Sequence, residues 1–271
     1  MEFIILILDN KIHHATHGSP LQIWLIKIVI ISFLLPFHHF IEEEAIHYLQ
    51  LSVDLAIQAR NEFLHSPNRN SLLSPLVAAS LGPYGAALAD GSEYTGYQNV
   101  SIQQLMDFHK ERLALIQQTE ADIIAFETIP CLDEAIAIKN LLAEQPNKKA
   151  WVSFSCKDEK HLCSGELFED AVKVLNESKE IIGIGVNCTP PQYIESLIKI
   201  AQPITDKTIM VYPNKGETYN PVKKVWEPLN GCSNHFITDA KLWLTAGAKA
   251  IGGCCRTGPL EIQQLEKLIN N

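Results

Sequence analysis

The stretches IIGIGVNC, at Ile181–Cys188, and AIGGCCR, at Ala250–Arg256, are apolar runs that end in cysteines. Continuous apolar runs of this length are typical of parallel strands that are covered on both faces. Four other apolar runs also end in polar residues or glycine, at Gly82–Gly85, Glu127–Thr128, Ser155–Cys156 and Tyr212–Asn214. Such strand ends predict one shared site at the mouth of a (β/α)8 barrel, because barrel sites form at the carboxyl ends of the strands.

From Glu42 to the C-terminus, apolar β-rich runs alternate with amphipathic segments, which predicts parallel strands joined by helical crossovers. The predicted strands are Val77–Gly82, Ile123–Thr128, Trp151–Cys156, Ile181–Cys188, Thr208–Pro213 and Ala250–Cys255. The predicted helices are Glu42–Leu64, Ile102–Thr119, Leu132–Ala143, Glu166–Asn176, Gln192–Ile200, His235–Ala246 and Leu260–Ile269. The sequence shows six strand–helix units, whereas a closed barrel needs eight, so the strand count alone favours an open doubly wound sheet. The strand ends favour a TIM-type barrel instead.

The chain has 271 residues, of which 46% are hydrophobic and 20% charged, so a large core can be buried. Its formal net charge of −9 and the lack of a basic stripe argue against nucleic-acid binding, which needs clustered lysine and arginine. Seven cysteines without a CxxC pair do not resemble a disulfide framework. We therefore expect a reducing compartment and a cytoplasmic protein, and the oligomeric state is left open.

Residues 1–41 differ from the rest and predict a boundary between an apolar, histidine-rich segment and a barrel domain over residues 42–271. The run Leu21–Phe37 has about 17 residues, at the short limit for a membrane-spanning helix. A membrane anchor is the less favoured alternative, and a secretory signal is disfavoured because no basic region precedes the first apolar run. The histidines lack HExxH spacing, so they do not predict a metal site.

Cys188, Cys254 and Cys255 are the candidate metal ligands. Gly252 and Gly253 precede the adjacent pair and permit a sharp turn, so that both thiols can reach one point. Three thiolates leave one position open on a tetrahedral zinc ion, as in catalytic sites. The alternatives are a strained vicinal disulfide, which is improbable, and ordinary buried cysteines. Burial alone is the favoured interpretation for Cys131, Cys156, Cys163 and Cys232.

Six motifs, in this order, resemble the homocysteine S-methyltransferase family. They are SLGPYG at Ser80–Gly85, LADGSEY at Leu88–Tyr94, FET at Phe126–Thr128, GVNC at Gly185–Cys188, VYPN at Val211–Asn214 and GGCCR at Gly252–Arg256. The resemblance implies a (β/α)8 barrel that binds zinc through Cys188, Cys254 and Cys255 and converts homocysteine to methionine. It also implies that Glu127 holds the amino group of homocysteine, a role that suits a carboxylate at a strand end.

The LADGSEY motif resembles the branch of the family that takes methyl groups from S-methylmethionine and, secondarily, from S-adenosylmethionine. Both donors carry a sulfonium cation, which aromatic rings and carboxylates attract. Tyr84, Glu93 and Tyr94 are therefore candidates for donor recognition. The alternative for each of them is a position in an ordinary surface loop.

Three further candidate substrate-binding residues lie at strand ends. Gly82 is expected to let backbone amides approach the substrate, because it has no side chain to block them. Asn187 and Asn214 either hydrogen-bond the substrate or brace the loops through local backbone contacts.

The resemblance does not extend over residues 1–41. The family begins with a strand that carries an Asp-Gly pair, then a helix, then a strand with a Ser-Tyr-Gln run, and none of these occurs here. The resemblance therefore implies a (β/α)8 TIM-type barrel that is incomplete or altered in its first two strand–helix units. A frameshift, a misassigned start or a truncated gene is the working hypothesis, which the sequence of the locus tests. In the alternative, the runs Ile4–Leu8 and Ile26–Ser32 supply replacement strands, because open barrel edges are costly.

Three functions therefore compete. The leading hypothesis is an active methyltransferase. The second is a zinc-binding remnant whose homocysteine pocket is incomplete, and the third is a membrane-tethered form.

Overall fold

The structure, a computed structural model, describes residues 2–7, 24–29, 42–65, 75–216, 218–220, 225–227 and 235–270. The strands in these ranges are β1 (Glu2–Ile7), β2 (Trp24–Val29), β3 (Ala78–Leu81), β4 (Ile123–Ile129), β5 (Ala150–Phe154), β6 (Ile181–Asn187), β7 (Thr208–Tyr212), β8 (Thr218–Asn220), β9 (Val225–Glu227) and β10 (Ala250–Gly253). The helices are α1 (Glu42–Leu64), α2 (Tyr84–Leu88), α3 (Ile102–Gln117), α4 (Leu132–Glu144), α5 (Phe168–Asn176), α6 (Pro191–Ala201), α7 (Phe236–Ala246) and α8 (Pro259–Asn270), with a 3-10 turn at Ser92–Tyr94.

Six strands form the parallel part of an eight-stranded sheet, in the order β10-β7-β6-β5-β4-β3. These are the six strands that the sequence predicts, and the α/β fold class is confirmed. Because parallel strands end at the same edge of a sheet, their carboxyl ends bring residues distant in sequence to one side of the fold.

β1 and β2 complete the sheet beyond β10 with antiparallel pairing. Ile4 of β1 pairs with Gly253 of β10, and Ile5 pairs with Ile26 of β2. The sheet curls, so that β2 lies alongside β3 at the other end. This arrangement agrees with the alternative in which residues 1–41 supply replacement strands. The domain boundary at Ile41 stays a prediction. β1 and β2, which precede it, share one sheet with strands that follow it.

Side chains alternate between the two faces of the parallel strands. One set packs under the helices, including Ile124 and Phe126 of β4 and Val152 of β5. The other set lines the inner face, and we name it the inner cluster: Ala78, Ile123, Ala125, Trp151, Cys188, Met210, Tyr212, Ala250, Cys254 and Cys255. The period of two follows from the pleat of a strand. The three candidate metal ligands belong to the inner cluster although they lie in the turns that follow β6 and β10.

Helix α3 begins where the sequence predicts, because Ser101 forms a capping box. Ser101 Oγ accepts a hydrogen bond from the backbone N–H of Gln104 at 3.2 Å, and Gln104 Oε1 accepts one from the N–H of Ser101 at 2.9 Å. These bonds satisfy two donors that a helix start leaves unpaired. The antiparallel pair of β8 and β9 was not predicted.

The run Leu21–Phe37, for which a membrane anchor is the less favoured alternative, lies mostly outside the described residues, and its described part is β2. No helix within the described ranges has both the length and the hydropathy needed to cross a bilayer.

Candidate metal centre

The three predicted metal ligands meet at the carboxyl ends of β6 and β10, on either side of β7. The Sγ atom of Cys255 lies 3.9 Å from that of Cys188 and 3.8 Å from that of Cys254. All three residues are buried, and their sulfur atoms all lie within 4.8 Å of one another. The vicinal disulfide is excluded, because bonded sulfur atoms are about 2.0 Å apart.

The strand β10 ends earlier than the sequence predicts, at Gly253, and both cysteines lie in the turn that follows. The N–H of Thr257 donates to the carbonyl of Cys254 at 3.0 Å and closes this turn. A side chain at Gly253 would clash, since its Cβ would lie 2.1 Å from Cγ2 of Thr257. The turn lets adjacent cysteines point to one place, which an extended strand would prevent.

Strained backbone surrounds the cysteines. Cys188 has a φ of 46°, Thr128 beside Glu127 has 63°, and Arg256 beside Cys255 has 72°. Such conformations cost non-glycine residues about 1–3 kcal/mol each and persist where the surrounding structure enforces them. Three of them at the ends of three strands indicate a site whose geometry is held by the rest of the fold.

Cys255 is the most acidic of the three thiols. Hydrogen bonds from Cys188 and Cys254 lower the pKa of Cys255 to about 4. Burial, followed by its bonds to the other two sulfur atoms, raises the pKa of the Cys254 thiol well above its usual range. The three thiols therefore do not ionise equally, and a divalent cation would favour the thiolate form of all three.

The donor set fits zinc. Tetrahedral zinc with Zn–S bonds of about 2.3 Å requires sulfur atoms about 3.8 Å apart. The two measured separations that involve Cys255 are close to this value. Little movement of the side chains would be needed to bind the ion.

Glu127 lies on the inner face near the end of β4 and is only 3% exposed. Ser80 Oγ donates a hydrogen bond to its Oε1 atom. Burial raises the pKa of Glu127 to about 7, although bonds from Ser80 and Tyr212 oppose the shift. Its Oε2 atom has no hydrogen-bond partner among the described residues. One carboxylate oxygen is thus available to a ligand.

Glu93 Oε2 and Asn214 Oδ1 are also buried and without a partner in the described part of the chain. Asn214 follows β7, and the carbonyl of Glu93 accepts a bond from Ser155 Oγ beyond the end of β5 at 3.0 Å. A buried acceptor left unpaired costs about 1–3 kcal/mol. Each of these oxygens, like Oε2 of Glu127, can accept a hydrogen bond from a ligand.

Residues 32–269 match the homocysteine S-methyltransferase family. The chain belongs to this family. It is 46% identical over 227 residues to homocysteine S-methyltransferase YbgG of Bacillus subtilis, covering 83% of this chain and 71% of that protein. It is 47% identical over 234 residues to homocysteine S-methyltransferase 1 of Zea mays, with 83% and 72% covered. The family and the enzyme class predicted from the motifs are confirmed.

Solved structures of the family have the same fold. The metallated form of the homocysteine methyltransferase MmuM from Escherichia coli aligns with a TM-score of 0.76 and 32% identity, covering 89% of this chain and 78% of that chain. The oxidized form of the same enzyme gives a TM-score of 0.75 at 31% identity. The predicted TIM-type scaffold is therefore confirmed.

The two asparagines of the family motifs have different surroundings. Asn187 Oδ1 accepts bonds from the N–H of Thr128 at 2.8 Å and from Ser153 Oγ at 2.9 Å, and its Nδ2 donates to Thr128 Oγ1 at 2.8 Å. These bonds tie β6 to β4 and β5 and favour the bracing role. Asn214 leaves its Oδ1 unpaired, which favours substrate binding.

The two tyrosines of the methyltransferase motifs also differ. The ring of Tyr84 packs edge-on against Tyr97 and Phe108, with centroids 5.4 and 5.2 Å away. Tyr94 packs instead against the inner cluster that contains the cysteines. The predicted role of Tyr84 in substrate binding stays a prediction. Gly82 borders open space, because a Cβ there would meet nothing within 4 Å, and this agrees with the predicted approach of substrate.

Sequence reasoning missed the polar residues that support Glu127 from neighbouring strands. Tyr212 bonds to Glu127 and Ser153, and its hydroxyl accepts a bond from Trp151 Nε1 at 3.1 Å. A usable signal exists, because Ser153 and Tyr212 occupy inner-face positions near the ends of otherwise apolar strands. Polar residues at such positions indicate the inside of a site.

Proposed function

We propose that the chain transfers a methyl group from a sulfonium donor to the sulfur of homocysteine, giving methionine. The observation that carries this proposal is a cluster of three buried thiols on the same inner face as a buried carboxylate with one unpaired oxygen. Homocysteine carries a thiol, which suits the cysteine cluster, and an ammonium group, which suits the carboxylate. The relatives in Bacillus subtilis and Zea mays bear the name homocysteine S-methyltransferase, which supports the same acceptor here.

Cys188, Cys254 and Cys255 are proposed to hold a zinc ion, and the spacing of their sulfur atoms supports this. When bound, zinc would lower the pKa of the substrate thiol, so that the thiol reacts as a thiolate near neutral pH. The relative from Escherichia coli has a solved form described as metallated.

The chain's own residues hold and orient the amino acid part of homocysteine. Glu127 Oε2 accepts a hydrogen bond from the ammonium group, a charge-assisted contact worth about 1.5–3 kcal/mol. Asn214 Oδ1 offers a second acceptor. Holding the amino group fixes where the sulfur lies, and alignment of two reactants is a large part of the rate of such transfers.

S-methylmethionine is the proposed donor, with S-adenosylmethionine as the alternative. Tyr94 presents an aromatic ring to the inner cluster, and Glu93 offers a buried, unpaired carboxylate oxygen. Both groups attract a sulfonium cation. The substrate sulfur forms a bond to the methyl carbon while the bond between that carbon and the donor sulfur breaks. The electron pair stays on the donor sulfur, which leaves as a neutral thioether.

Methionine formation from homocysteine and S-methylmethionine by zinc-loaded protein tests this proposal. Cys254→Ser is expected to lose bound zinc and activity together, because a neutral hydroxyl replaces a thiolate ligand. Cys163→Ser is the matched control, since Cys163 lies outside the cluster, and it should keep both. Activity in Cys254→Ser protein that binds no zinc would contradict the mechanism.

The zinc-binding remnant remains the second candidate, because β1 and β2 are antiparallel rather than two further parallel strand–helix units. If folded, zinc-loaded protein forms no methionine with either donor, the result would favour the zinc-binding remnant over the active enzyme. No cysteine within the described ranges forms a disulfide. We propose a reducing compartment, the cytoplasm, as the place of this reaction.

A further inference from the structure

A buried polar network lies between α3 and α4, and the proposed reaction does not use it. His109 and Glu134 are completely buried, and His109 Nε2 lies 2.8 Å from Glu134 Oε1. Arg112 Nη2 donates to His109 Nδ1 at 3.0 Å. Because Nδ1 accepts this bond, the neutral ring carries its proton on Nε2 and donates it to Glu134. Burial lowers the pKa of His109, in agreement with a neutral ring.

The network ends on backbone groups of the loop after β3. Arg112 Nη2 also donates to the carbonyl of Gly82 at 3.2 Å, and Glu134 Oε1 accepts a bond from the N–H of Tyr84 at 2.7 Å. The hydroxyl of Tyr97 donates to the other oxygen of Glu134. One set of charged side chains therefore holds the loop at two residues, through a carbonyl and an amide.

The loop in turn contacts the turn that carries the donor-binding candidates. A Cβ on Gly85 would lie 2.7 Å from the backbone nitrogen of Glu93, so the two backbones are in close contact. Ser92 Oγ donates to the carbonyl of Gly85 at 3.4 Å. Tyr94, two residues after Ser92, packs against the inner cluster. These contacts form a continuous path from the buried network, through Gly85 and Ser92, to the residue that packs against the inner cluster.

We infer that His109, Arg112 and Glu134 are positioning residues that set the place of residues 82–94 against the substrate site. Leu105, Leu113 and Ile116 are buried on the same helix and supply apolar packing of their own. Burying charged groups costs free energy that apolar residues would not. What the charged groups add is a fixed direction for two backbone hydrogen bonds of the loop. The inference rests on the proposed function.

Two substitutions of His109 separate positioning from simple stability. His109→Gln keeps an acceptor for Arg112 and a donor for Glu134, whereas His109→Leu removes both. We expect His109→Leu to bind zinc normally but to lose about tenfold or more in kcat/KM, because a displaced loop misplaces the substrate. The loss should appear mainly in KM, since the reacting groups themselves are unchanged. His109→Gln should stay close to wild type. Amide hydrogen exchange over residues 84–96 should become faster in His109→Leu and not in His109→Gln.

Lys139→Gln is the control, because Lys139 lies on α4 like Glu134 but forms an ion pair at the surface with Glu177, which follows α5. It should change neither kinetics nor exchange. A His109→Leu protein with wild-type KM and exchange, and only a lower melting temperature, would overturn the inference. If His109→Leu does not fold, Tyr97→Phe, which removes only the hydroxyl bond to Glu134, decides by the same exchange measurement. Inactive wild-type protein would refute the proposed function, while the exchange result would still test the network.

Discussion

Glu127 shows how the surroundings of one residue change its chemistry. Its carboxyl group is buried on the inner face, and this burial raises its pKa to about 7. Near neutral pH the protonated and ionised forms of this carboxyl group are therefore both populated. An ammonium ligand bonds to the ionised form, so binding and deprotonation are coupled.

We expect homocysteine binding to weaken as the pH falls through about 7, the pKa of Glu127, because the protonated carboxyl loses its charge. Glu127→Gln should make this pH dependence weaker and leave only the part that comes from ionisation of the substrate thiol. It should also raise the dissociation constant about tenfold or more, the loss expected for one charge-assisted bond. Titration calorimetry of zinc-loaded protein measures both effects, over a range from about one pH unit below the shifted pKa of Glu127 to about one unit above it. An unchanged pH profile in Glu127→Gln would refute the assignment.

At the scale of elements, β6 illustrates how a strand is fitted to its neighbours. Gly185 pairs with Ser153 of β5 and Met210 of β7. A Cβ on Gly185 would lie 1.8 Å from the carbonyl oxygen of Met210, which is backbone and cannot rotate away. The strand that presents Asn187 and the following cysteine thus needs glycine at this point.

Gly185→Ala should lower the free energy of unfolding by about 3 kcal/mol or prevent folding, because the sheet must move apart to admit the methyl group. Gly82→Ala makes the same chemical change where no atom lies within 4 Å. It should leave the free energy of unfolding nearly unchanged. Urea denaturation followed by circular dichroism compares the two, and equal stabilities would contradict the close contact at Gly185.

For the whole molecule, the cysteine cluster joins two strands that are not neighbours in the sheet. β7 lies between β6 and β10, so a metal bound by Cys188, Cys254 and Cys255 would link their ends across it. β10 also pairs with β1, which connects the same site to the N-terminal strands. Metal binding should therefore stabilise the folded chain as a whole.

Chelation of zinc is expected to lower the melting temperature. Zinc at a hundred times its dissociation constant stabilises the native state by about 2.7 kcal/mol, which corresponds to roughly 5 °C or more for a chain of this size. Scanning calorimetry with and without chelator measures the shift. Cys254→Ser, which should not bind zinc, is the control and should show no shift. A shift of equal size in that variant would mean that the cysteines are not the ligands.

The sequence by itself determined the alternation of strands and helices, the family and the three cysteines at strand ends. These features depend on local periodicity and on the common edge at which parallel strands finish. The tertiary structure decided which side chains meet. Ser80 bonds to Glu127 and His109 to Glu134, and Tyr94 rather than Tyr84 packs beside the thiols. Such contacts depend on the curl of the sheet and on how the helices pack, because they join residues tens of positions apart whose spacing carries no periodic signal.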